Sequence, residues 1–294
     1  MEKNWRVMLL QPKKAVEVNR ISFSYAKNQP FIERLSLQLD ESKYFCVVGH
    51  NGSGKSTFSK LLTGLLKPDA GVIKVFGQPI SRISYQQIFS YLGVVFQNPD
   101  SQFITSSIEE ELAFGLENKK VPPNQMKQIV ERLIDALELK ELRDKSPSTL
   151  SGGQKQKVAI ASVLAFNPSL FLFDESSSML SPIEKIEIVQ LMKKLVVDHK
   201  KTVISITHDM EELLLADEII IFSRGKIVGH LKSPAELFEL PFSFFYDLSL
   251  NPPFASQLSK LLRDKYSINL PFSGSEDELI SNLGRLLPKK ESPK

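Results

Sequence analysis

The pattern of hydrophobic and polar positions predicts strands of two kinds near the start of the chain. Residues 15–39 contain two runs in which apolar and polar residues alternate, with a Lys-Asn-Gln-Pro turn between them. Alternation of this kind is typical of antiparallel strands with one exposed face. Residues 44–48 are continuously apolar instead, and a glycine-rich turn and a helical pattern to Leu66 follow them. This order predicts a small antiparallel region, then a buried strand and a helix.

Farther along the chain, a helical block interrupts the strand pattern. Residues 106–143 have the apolar period of a helix and almost no strand signal. From Leu150 onward, helical stretches alternate with short apolar runs; helices are predicted at 154–166, at 183–197 and from Met210, and strands at 170–173, 202–207 and 218–222. Such alternation is typical of a mostly parallel sheet covered by helices, so we expect one α/β core into which the helical block is inserted.

The composition changes after residue 240, where prolines and phenylalanines precede two short amphipathic patterns. The first predicted helix places four apolar residues on one face: Phe254, Leu258, Leu261 and Leu262. The second is predicted to begin with a capping box formed by Ser275 and Glu278. Neither helix can bury its apolar face alone, and two interpretations stay open: the helices fold back onto the core, or they form a dimer contact.

Composition and charge exclude several classes of protein. The 294 residues are 42% hydrophobic and 24% charged, which favours one large globular domain, alone or with an appendage. Lysine and arginine exceed aspartate and glutamate by a net charge of only +3, which disfavours general binding of nucleic acid. The apolar runs are far shorter than the roughly 18 residues needed to span a bilayer, so we expect any membrane association to be peripheral.

The N-terminal sequence and the cysteine content predict the cellular compartment of the protein. The N-terminal sequence shows no signal peptide, so we expect the protein to stay in the cytosol. A single cysteine, Cys46, rules out an internal disulfide and a multi-thiolate metal site within one chain, which fits a reducing compartment.

A glycine-rich loop follows the buried strand. Residues 49–56 read Gly-His-Asn-Gly-Ser-Gly-Lys-Ser and fit the phosphate-loop pattern G-x-x-x-x-G-K-[ST]. Glycines let successive backbone N–H groups converge on phosphate oxygens, the lysine reaches the β and γ phosphates, and the serine offers Mg²⁺ a hard oxygen. The predicted nucleotide-binding residues of this loop are Gly49, Asn51, Gly52, Ser53, Gly54, Lys55, Ser56 and Thr57. An ordinary glycine-rich turn is the alternative.

Two acidic residues end a predicted strand. Residues 170–173 are apolar, and Asp174 and Glu175 follow them. An aspartate at the carboxyl edge of a parallel sheet can hold Mg²⁺ through its water shell, and the next carboxylate can polarise an attacking water. We therefore predict a metal-binding role for Asp174 and a catalytic role for Glu175; a solvated acidic turn is the alternative.

A second anion-binding pattern identifies a family resemblance. Residues 150–154 read Leu-Ser-Gly-Gly-Gln and open a predicted helix. With this segment, the phosphate loop and the acidic strand end, the chain resembles the ATP-binding cassette (ABC) ATPases over about residues 15–235, and Gln97 and His208 also match. The resemblance implies a P-loop NTPase fold of the α/β class: a mostly parallel core sheet, an N-terminal antiparallel β region, an inserted helical subdomain and a small C-terminal helical extension.

The resemblance also implies roles for residues that the spacing alone does not explain. In this family the Leu-Ser-Gly-Gly-Gln segment covers the γ-phosphate held on a partner, so two chains sandwich two ATP molecules head-to-tail. Ser151, Gly152, Gly153 and Gln154 would make these contacts in this chain. Tyr25 would stack on adenine, unless it is an ordinary strand aromatic. Gln97 would approach Mg²⁺ and the attacking water, and His208 would contact the γ-phosphate. The implied cofactors are ATP and Mg²⁺.

The chain departs from the family pattern at two positions. Where the family usually reads S-x-L-D, residues 178–181 read Ser-Met-Leu-Ser, and we expect Ser181 to weaken communication across the dimer rather than nucleotide binding. Lys157 stands where arginine is common, and it keeps the charge without the fork geometry. We expect neither departure to inactivate the protein.

Two segments narrow the resemblance further. Residues 94–103 and 107–118, with the tail from Pro241, are similar to the ATPases of energy-coupling factor transporters and their cobalt-uptake relatives. This resemblance implies a tail at 1–14, a nucleotide-binding domain at 15–240 with its helical subdomain at about 97–150, and an extension at 241–294.

The implied function of this group is to power uptake of vitamins or metal ions from the cytoplasmic face of the membrane. The implied partners are a second ATPase subunit, for which the resemblance favours a paralogue over a second copy, a transmembrane coupling subunit and a substrate-binding membrane subunit. No nucleic-acid partner is expected. A soluble cassette ATPase that acts on nucleic acid or the ribosome and a P-loop kinase are the alternatives.

Overall fold

The computed structural model describes residues 13–27, 29–177, 180–248, 250–271 and 275–286. Two sheets form its framework. One has the strand order β2-β1-β4-β5, and its strands are β1 (Lys14–Ala26), β2 (Gln29–Asp40), β4 (Ala70–Val75) and β5 (Gln78–Pro79). All of its pairings are antiparallel. The antiparallel region predicted for residues 15–39 is therefore confirmed, and β4 and β5 extend it.

The second sheet has the order β10-β9-β3-β8-β7-β6. Its strands are β3 (Tyr44–Val48), β6 (Leu92–Val95), β7 (Leu170–Asp174), β8 (Thr202–Ile206), β9 (Glu218–Ser223) and β10 (Lys226–Leu231). The pairings are parallel except between β9 and β10 at one edge. Strands β3, β6 and β8 are buried along their whole length, as expected for parallel strands covered on both faces. The predicted mostly parallel sheet is confirmed.

Helices cover this sheet. They are α1 (Lys55–Leu62), α2 (Tyr85–Tyr91), α5 (Gly152–Ala165), α6 (Pro182–Val197), α7 (Met210–Leu215), α8 (Pro234–Phe238) and α9 (Phe242–Asp247). One hydrophobic cluster joins α1 and the antiparallel sheet to one face of the parallel sheet, and a second joins α5, α6 and α7 to the other face. The predicted α/β core is thus observed as a sheet between two apolar layers.

The helical block lies between β6 and β7 in the chain, so the predicted insertion of this block into the α/β core is confirmed. Helices α3 (Ile108–Asn118) and α4 (Pro123–Ala136) pack with α5 around a separate apolar cluster. Helix α1 is shorter than predicted, since it ends at Leu62 rather than Leu66. Gly64 adopts φ +75°, a left-handed conformation that ends helices, and the apolar residues beyond it belong to the following turn.

The segment after residue 240 has two parts. Leu248 and Leu250 are buried with α8 and α9 in the cluster beneath the sheet. Helices α10 (Phe254–Tyr266) and α11 (Glu276–Leu286) contact each other, but the side chains of Phe254 and Ile280 are 60% and 65% exposed. The extension therefore packs on the core at Phe245, Leu248 and Leu250, whereas the apolar face predicted for α10 is exposed at Phe254 and Leu261.

Two further sequence predictions concern the chain ends and the membrane. The N-terminal tail predicted at 1–14 falls outside the described residues up to residue 12, and β1 begins at Lys14. Within the described ranges, no helix combines the length and the apolar content that a bilayer crossing requires.

Candidate functional site

The phosphate loop connects β3 to α1 at the carboxyl end of the parallel sheet, between the neighbouring strands β8 and β9. A Cβ at Gly49 would lie 2.2 Å from the carbonyl oxygen of Phe222, so only glycine fits there. Gly54 adopts φ +114° at the start of α1. The Oγ atom of Ser53 is buried and makes no hydrogen bond to any residue that the structure describes. A buried hydroxyl group needs a hydrogen-bond partner, and a phosphate oxygen bound by the loop would provide one.

Lys55 points into its own loop. Its Nζ atom donates to the carbonyl oxygens of Gly49 at 2.6 Å and of His50 at 3.3 Å. Burial lowers the pKa of Lys55, and the negative charges of Glu175 and Asp174 oppose that shift. The ammonium group therefore lies between the loop backbone and the acidic end of β7, where a phosphate chain bound by the loop would pass.

Asp174 ends β7 and is partly buried behind the loop. Burial raises the pKa of Asp174, and a hydrogen bond with Ser59 opposes the shift. Within the described residues no group of three or more His, Cys, Asp and Glu side chains could hold a metal ion by itself. The residues predicted to hold Mg²⁺, Asp174, Ser56 and Gln97, would offer a carboxylate, a hydroxyl and an amide oxygen, and this donor set fits the hard-oxygen preference of Mg²⁺.

The three residues predicted to be catalytic meet at one point. The Nε2 atom of Gln97 donates to Oε2 of Glu175 at 3.0 Å, and Nε2 of His208 lies 3.5 Å from Oε1 of the same carboxylate. Burial lowers the pKa of His208, with a further contribution from the charge of Lys55, while Glu175 acts in the opposite direction. These effects together favour the neutral imidazole, and a neutral ring can still offer one N–H group to the carboxylate.

The sheet order explains why these residues converge. Gln97, Glu175 and His208 follow β6, β7 and β8, which are adjacent in the sheet and parallel, so their carboxyl ends lie side by side. Glu175 itself adopts φ +51°, and its backbone N–H donates to the carbonyl oxygen of Ile206 on the neighbouring strand at 2.9 Å. From this turn the carboxylate of Glu175 contacts both Gln97 and His208.

Tyr25 lies beside the phosphate loop. Its hydroxyl group is 2.7 Å from Oγ1 of Thr57, and its ring contacts the rings of Phe23 and Phe31 at centroid distances of 4.9 and 5.7 Å. The residue is nevertheless 62% exposed. The structure thus places an accessible aromatic ring next to the predicted nucleotide site, although Tyr25 lies on the other sheet.

The Leu-Ser-Gly-Gly-Gln segment begins α5. Ser151 is the N-cap: its Oγ atom accepts from the backbone N–H of Gln154 at 3.3 Å, and Oε1 of Gln154 accepts from the N–H of Ser151 at 3.1 Å. Gly153 is packed against α6, since a Cβ there would lie 2.7 Å from the carboxylate of Glu184. Ser151 and Gly152 are exposed, and the side-chain bonds of Ser151 and Gln154 stay within this first turn.

The two departures from the family pattern are connected in space. Ser181 caps α6 through a capping box with Glu184, whose carboxylate also lies 3.9 Å from Nζ of Lys157. Lys157 further pairs with Glu187 at 3.1 Å. Position 181 therefore contacts α5 through one carboxylate, a link that the sequence did not predict. We call α5 the signature helix, because it begins with the Leu-Ser-Gly-Gly-Gln segment. Residues 178 and 179 of the same motif lie outside the described residues.

Sequence reasoning also missed an ion pair between the segment after Gln97 and the signature helix. Nζ of Lys155 lies 2.7 Å from Oδ1 of Asp100. The only available signals were a lysine after the Leu-Ser-Gly-Gly-Gln pattern and an acid near Gln97, and neither indicates the other.

Comparison with known proteins gives the family. Residues 32–178 match the family model for the ABC transporter domain. An energy-coupling factor transporter ATP-binding protein, EcfA, of Malacoplasma penetrans is 46% identical over 270 residues, which is 92% of this chain and 93% of that protein. The corresponding EcfA1 of Ureaplasma parvum is 45% identical over 92% of this chain and 90% of its own length.

Comparison with solved structures supports the same family. The cbiO1 protein of Clostridium perfringens, described as part of the ABC transporter complex cbiONQ, superposes with a TM-score of 0.72 at 27% identity, over 84% of this chain and 99% of that one. A dimeric ATP-binding cassette bound to ADP and Pi gives a TM-score of 0.68 at 25% identity, over 74% of this chain and 98% of that one. With its phosphate loop, its acidic strand end and its signature helix, this chain belongs to the ABC transporter ATPases, among the energy-coupling factor transporter ATP-binding proteins.

Proposed function

We propose that Glu175, Gln97 and His208 catalyse the hydrolysis of ATP in this chain. As a member of its family, the chain is the ATP-binding, ATP-hydrolysing subunit of an energy-coupling factor transporter. The observation that carries the assignment is the convergence of Gln97 and His208 on the two carboxylate oxygens of Glu175. Family membership also argues against the kinase and nucleic-acid alternatives.

The phosphate loop binds the substrate. The backbone N–H groups of residues 49–54, the hydroxyl group of Ser53 and the ammonium group of Lys55 bind the phosphates, and Asn51, Gly52 and Thr57 complete the loop. The exposed ring of Tyr25 stacks on the adenine. Ser56, Gln97 and Asp174 would hold Mg²⁺, which would supply positive charge to offset that of the phosphates.

Glu175 activates the attacking water. Its carboxylate accepts a water proton while the water oxygen attacks the γ-phosphorus and the bond to the bridging oxygen breaks. Gln97 and His208 fix the orientation of the carboxylate, because each contacts a different one of its oxygens.

The reaction chamber is completed by a second ATPase subunit. Ser151, Gly152, Gly153 and Gln154 of one chain cover the γ-phosphate bound by its partner, in a head-to-tail dimer for which a paralogue is favoured. The exposure of Ser151 and Gly152 at a helix N-terminus supports this arrangement. The exposed apolar residues of α10 and α11 supply a further dimer contact in the extension at 241–294.

The membrane partners are a coupling subunit and a substrate-binding subunit. The relatives are energy-coupling factor transporter proteins, and cbiO1 is part of a transporter complex, which supports this proposal. The chain thus acts at the cytoplasmic face of the membrane as a peripheral subunit, and it powers uptake of vitamins or metal ions. The nucleotide-binding domain at 15–240 provides the ATPase.

Substitution of Glu175 tests this assignment. Glu175→Gln keeps the size of the side chain but removes the base, so we expect it to bind ATP with unchanged affinity and to lose at least about 100-fold in phosphate release. Glu33→Gln, an exposed glutamate on β2, is the matched control and should retain wild-type activity. Phosphate release by Glu175→Gln within twofold of wild type would remove Glu175 as the catalytic carboxylate.

A further inference from the structure

A buried acidic residue lies beneath the proposed catalytic residues and takes no part in the mechanism above. Glu212, on α7, is only 1% exposed and sits within the apolar cluster between the parallel sheet and α6. Its immediate hydrogen-bond partners are hydroxyl groups. Ser177 Oγ donates to Oε1 at 2.6 Å, and Ser205 Oγ and the Tyr44 hydroxyl donate to Oε2, the latter at 3.4 Å.

These hydroxyl groups belong to the two segments that carry the proposed catalytic residues. Ser177 follows Glu175 by two positions in the turn after β7, and it is itself buried. Ser205 lies on β8, three positions before His208. The carboxyl group of Glu212 therefore bridges the turn of Glu175 and the strand that leads to His208, with one oxygen toward each.

The turn of Glu175 needs such support. A non-glycine residue at φ +51° adopts a left-handed conformation that is unfavourable by itself, so its surroundings must hold it in place. The Nε2 atom of His208 lies 3.5 Å from the carboxylate, near the limit of a hydrogen bond, so a shift of a few tenths of an ångström decides whether the contact exists.

Packing alone does not explain an acid at position 212. A buried carboxyl group is unfavourable unless hydrogen bonds satisfy it, and the neighbouring residues 213–215 of α7 are all leucine. Burial raises the pKa of Glu212, which reflects this unfavourable environment. A leucine at position 212 would pack at similar volume but would leave the hydroxyl groups of Ser177 and Ser205 without their acceptor.

We propose that Glu212 is a positioning residue for ATP hydrolysis: its carboxyl group holds the turn of Glu175 and the segment of His208 at the separation that lets both act on one water. This inference rests on the proposed roles of Glu175 and His208. Glu212 does not touch the nucleotide, so its removal changes the rate of the chemical step and leaves nucleotide affinity unchanged.

The test measures kcat, KM and ATP affinity in the full-length chain within its assembled complex. Glu212→Ala should lower kcat about 10- to 100-fold, the loss that accompanies displacement of a catalytic group by about 1 Å, while KM and the Kd for ATP stay within about twofold. Glu212→Gln keeps an acceptor for Ser177 and should recover most of the rate. Ser177→Ala removes one arm of the bridge and should lower kcat about threefold or more.

The matched control is a second buried glutamate, Glu218, at the opposite end of the sheet. It begins β9 and pairs with Lys43 and Lys232, far along the strands from the phosphate loop. Glu218→Gln should lower the melting temperature and leave kcat unchanged. All rates are compared at a temperature at which circular dichroism shows each variant folded.

The outcomes separate the two proposals. If Glu175→Gln is inactive while folded Glu212→Ala keeps kcat within twofold of wild type, the positioning role is wrong and the catalytic assignment stands. If Glu175→Gln retains turnover, the catalytic assignment itself fails. Should Glu212→Ala not fold, Ser177→Ala with wild-type kcat refutes the bridge, and Ser177→Ala with a lowered kcat and unchanged KM supports it. An equal loss of kcat in Glu218→Gln would show a general effect of stability.

Discussion

The substitution Gly49→Ala adds one carbon atom to the phosphate loop and should reduce both ATP affinity and stability. The Cβ of an alanine there would lie 2.2 Å from the carbonyl oxygen of Phe222 and 2.7 Å from Oγ of Ser53, both well inside the 3.4 Å at which ordinary van der Waals contact begins. The carbonyl group belongs to β9, which pairs with β3 directly before the loop. The backbone of the loop must therefore move, because the sheet cannot.

The magnitude follows from that overlap. Overpacking of a close-packed site costs about 1–3 kcal/mol. The loop can relieve the overlap only by moving its N–H groups away from the phosphate positions, and each 1.4 kcal/mol corresponds to about a tenfold change in affinity. We expect Gly49→Ala to raise the Kd for ATP about 10- to 100-fold and to lower the free energy of unfolding by about 1–3 kcal/mol.

Gly77→Ala is the control for backbone strain without overlap. Gly77 adopts φ +76° in the turn after β4, and a Cβ there would meet nothing within 4 Å. This variant should lose about 1 kcal/mol of stability in urea unfolding and bind ATP normally in a titration with a fluorescent analogue. The reasoning is refuted if Gly49→Ala binds ATP as tightly as wild type and unfolds at the same urea concentration.

Two further predictions concern the dimer and the pH dependence. Ser181→Asp should keep the start of α6 intact, because aspartate also caps helices, and should change the Hill coefficient for ATP more than the affinity; an unchanged Hill coefficient contradicts the expected role of position 181. The lowered pKa of His208 keeps the imidazole neutral to more acidic pH than a free histidine, so kcat should fall with a midpoint below about 6.5 as His208 gains its proton. If the plot of kcat against pH for His208→Gln lacks this fall, His208 is the titrating group. A midpoint above 6.5 in the wild-type protein would contradict the assignment to His208.

Several secondary-structure elements were absent from the sequence prediction, each for a physical reason. Strand β6 has four residues, too few to show a period, although it is fully buried. Strand β10 lies at the sheet edge and is only partly buried, so its alternation is weak. Helix α2 did carry a usable signal, because Ser84 and Gln87 form a capping box, which the pattern S-x-x-Q indicates.

The sequence by itself determined the chemistry of this protein. The phosphate loop and the acidic strand end are local patterns whose residues lie close together along the chain, so their spacing is sufficient to predict phosphate and metal chemistry. The role of the Leu-Ser-Gly-Gly-Gln segment was implied by the family resemblance. The mostly parallel sheet followed in the same way, because buried strands such as Tyr44–Val48 are continuous apolar runs between helical periods.

Only the tertiary structure decided which distant side chains meet. Gln97 and Glu175 are 78 positions apart and come within 3.0 Å because β6 and β7 are neighbours in the sheet, an order that local periodicity does not encode. The same holds for Glu212, which in the sequence is the second of two adjacent glutamates in α7; only its hydroxyl partners distinguish it from Glu211. Contacts between elements depend on strand order and helix orientation, and these arise from burying many apolar surfaces at once.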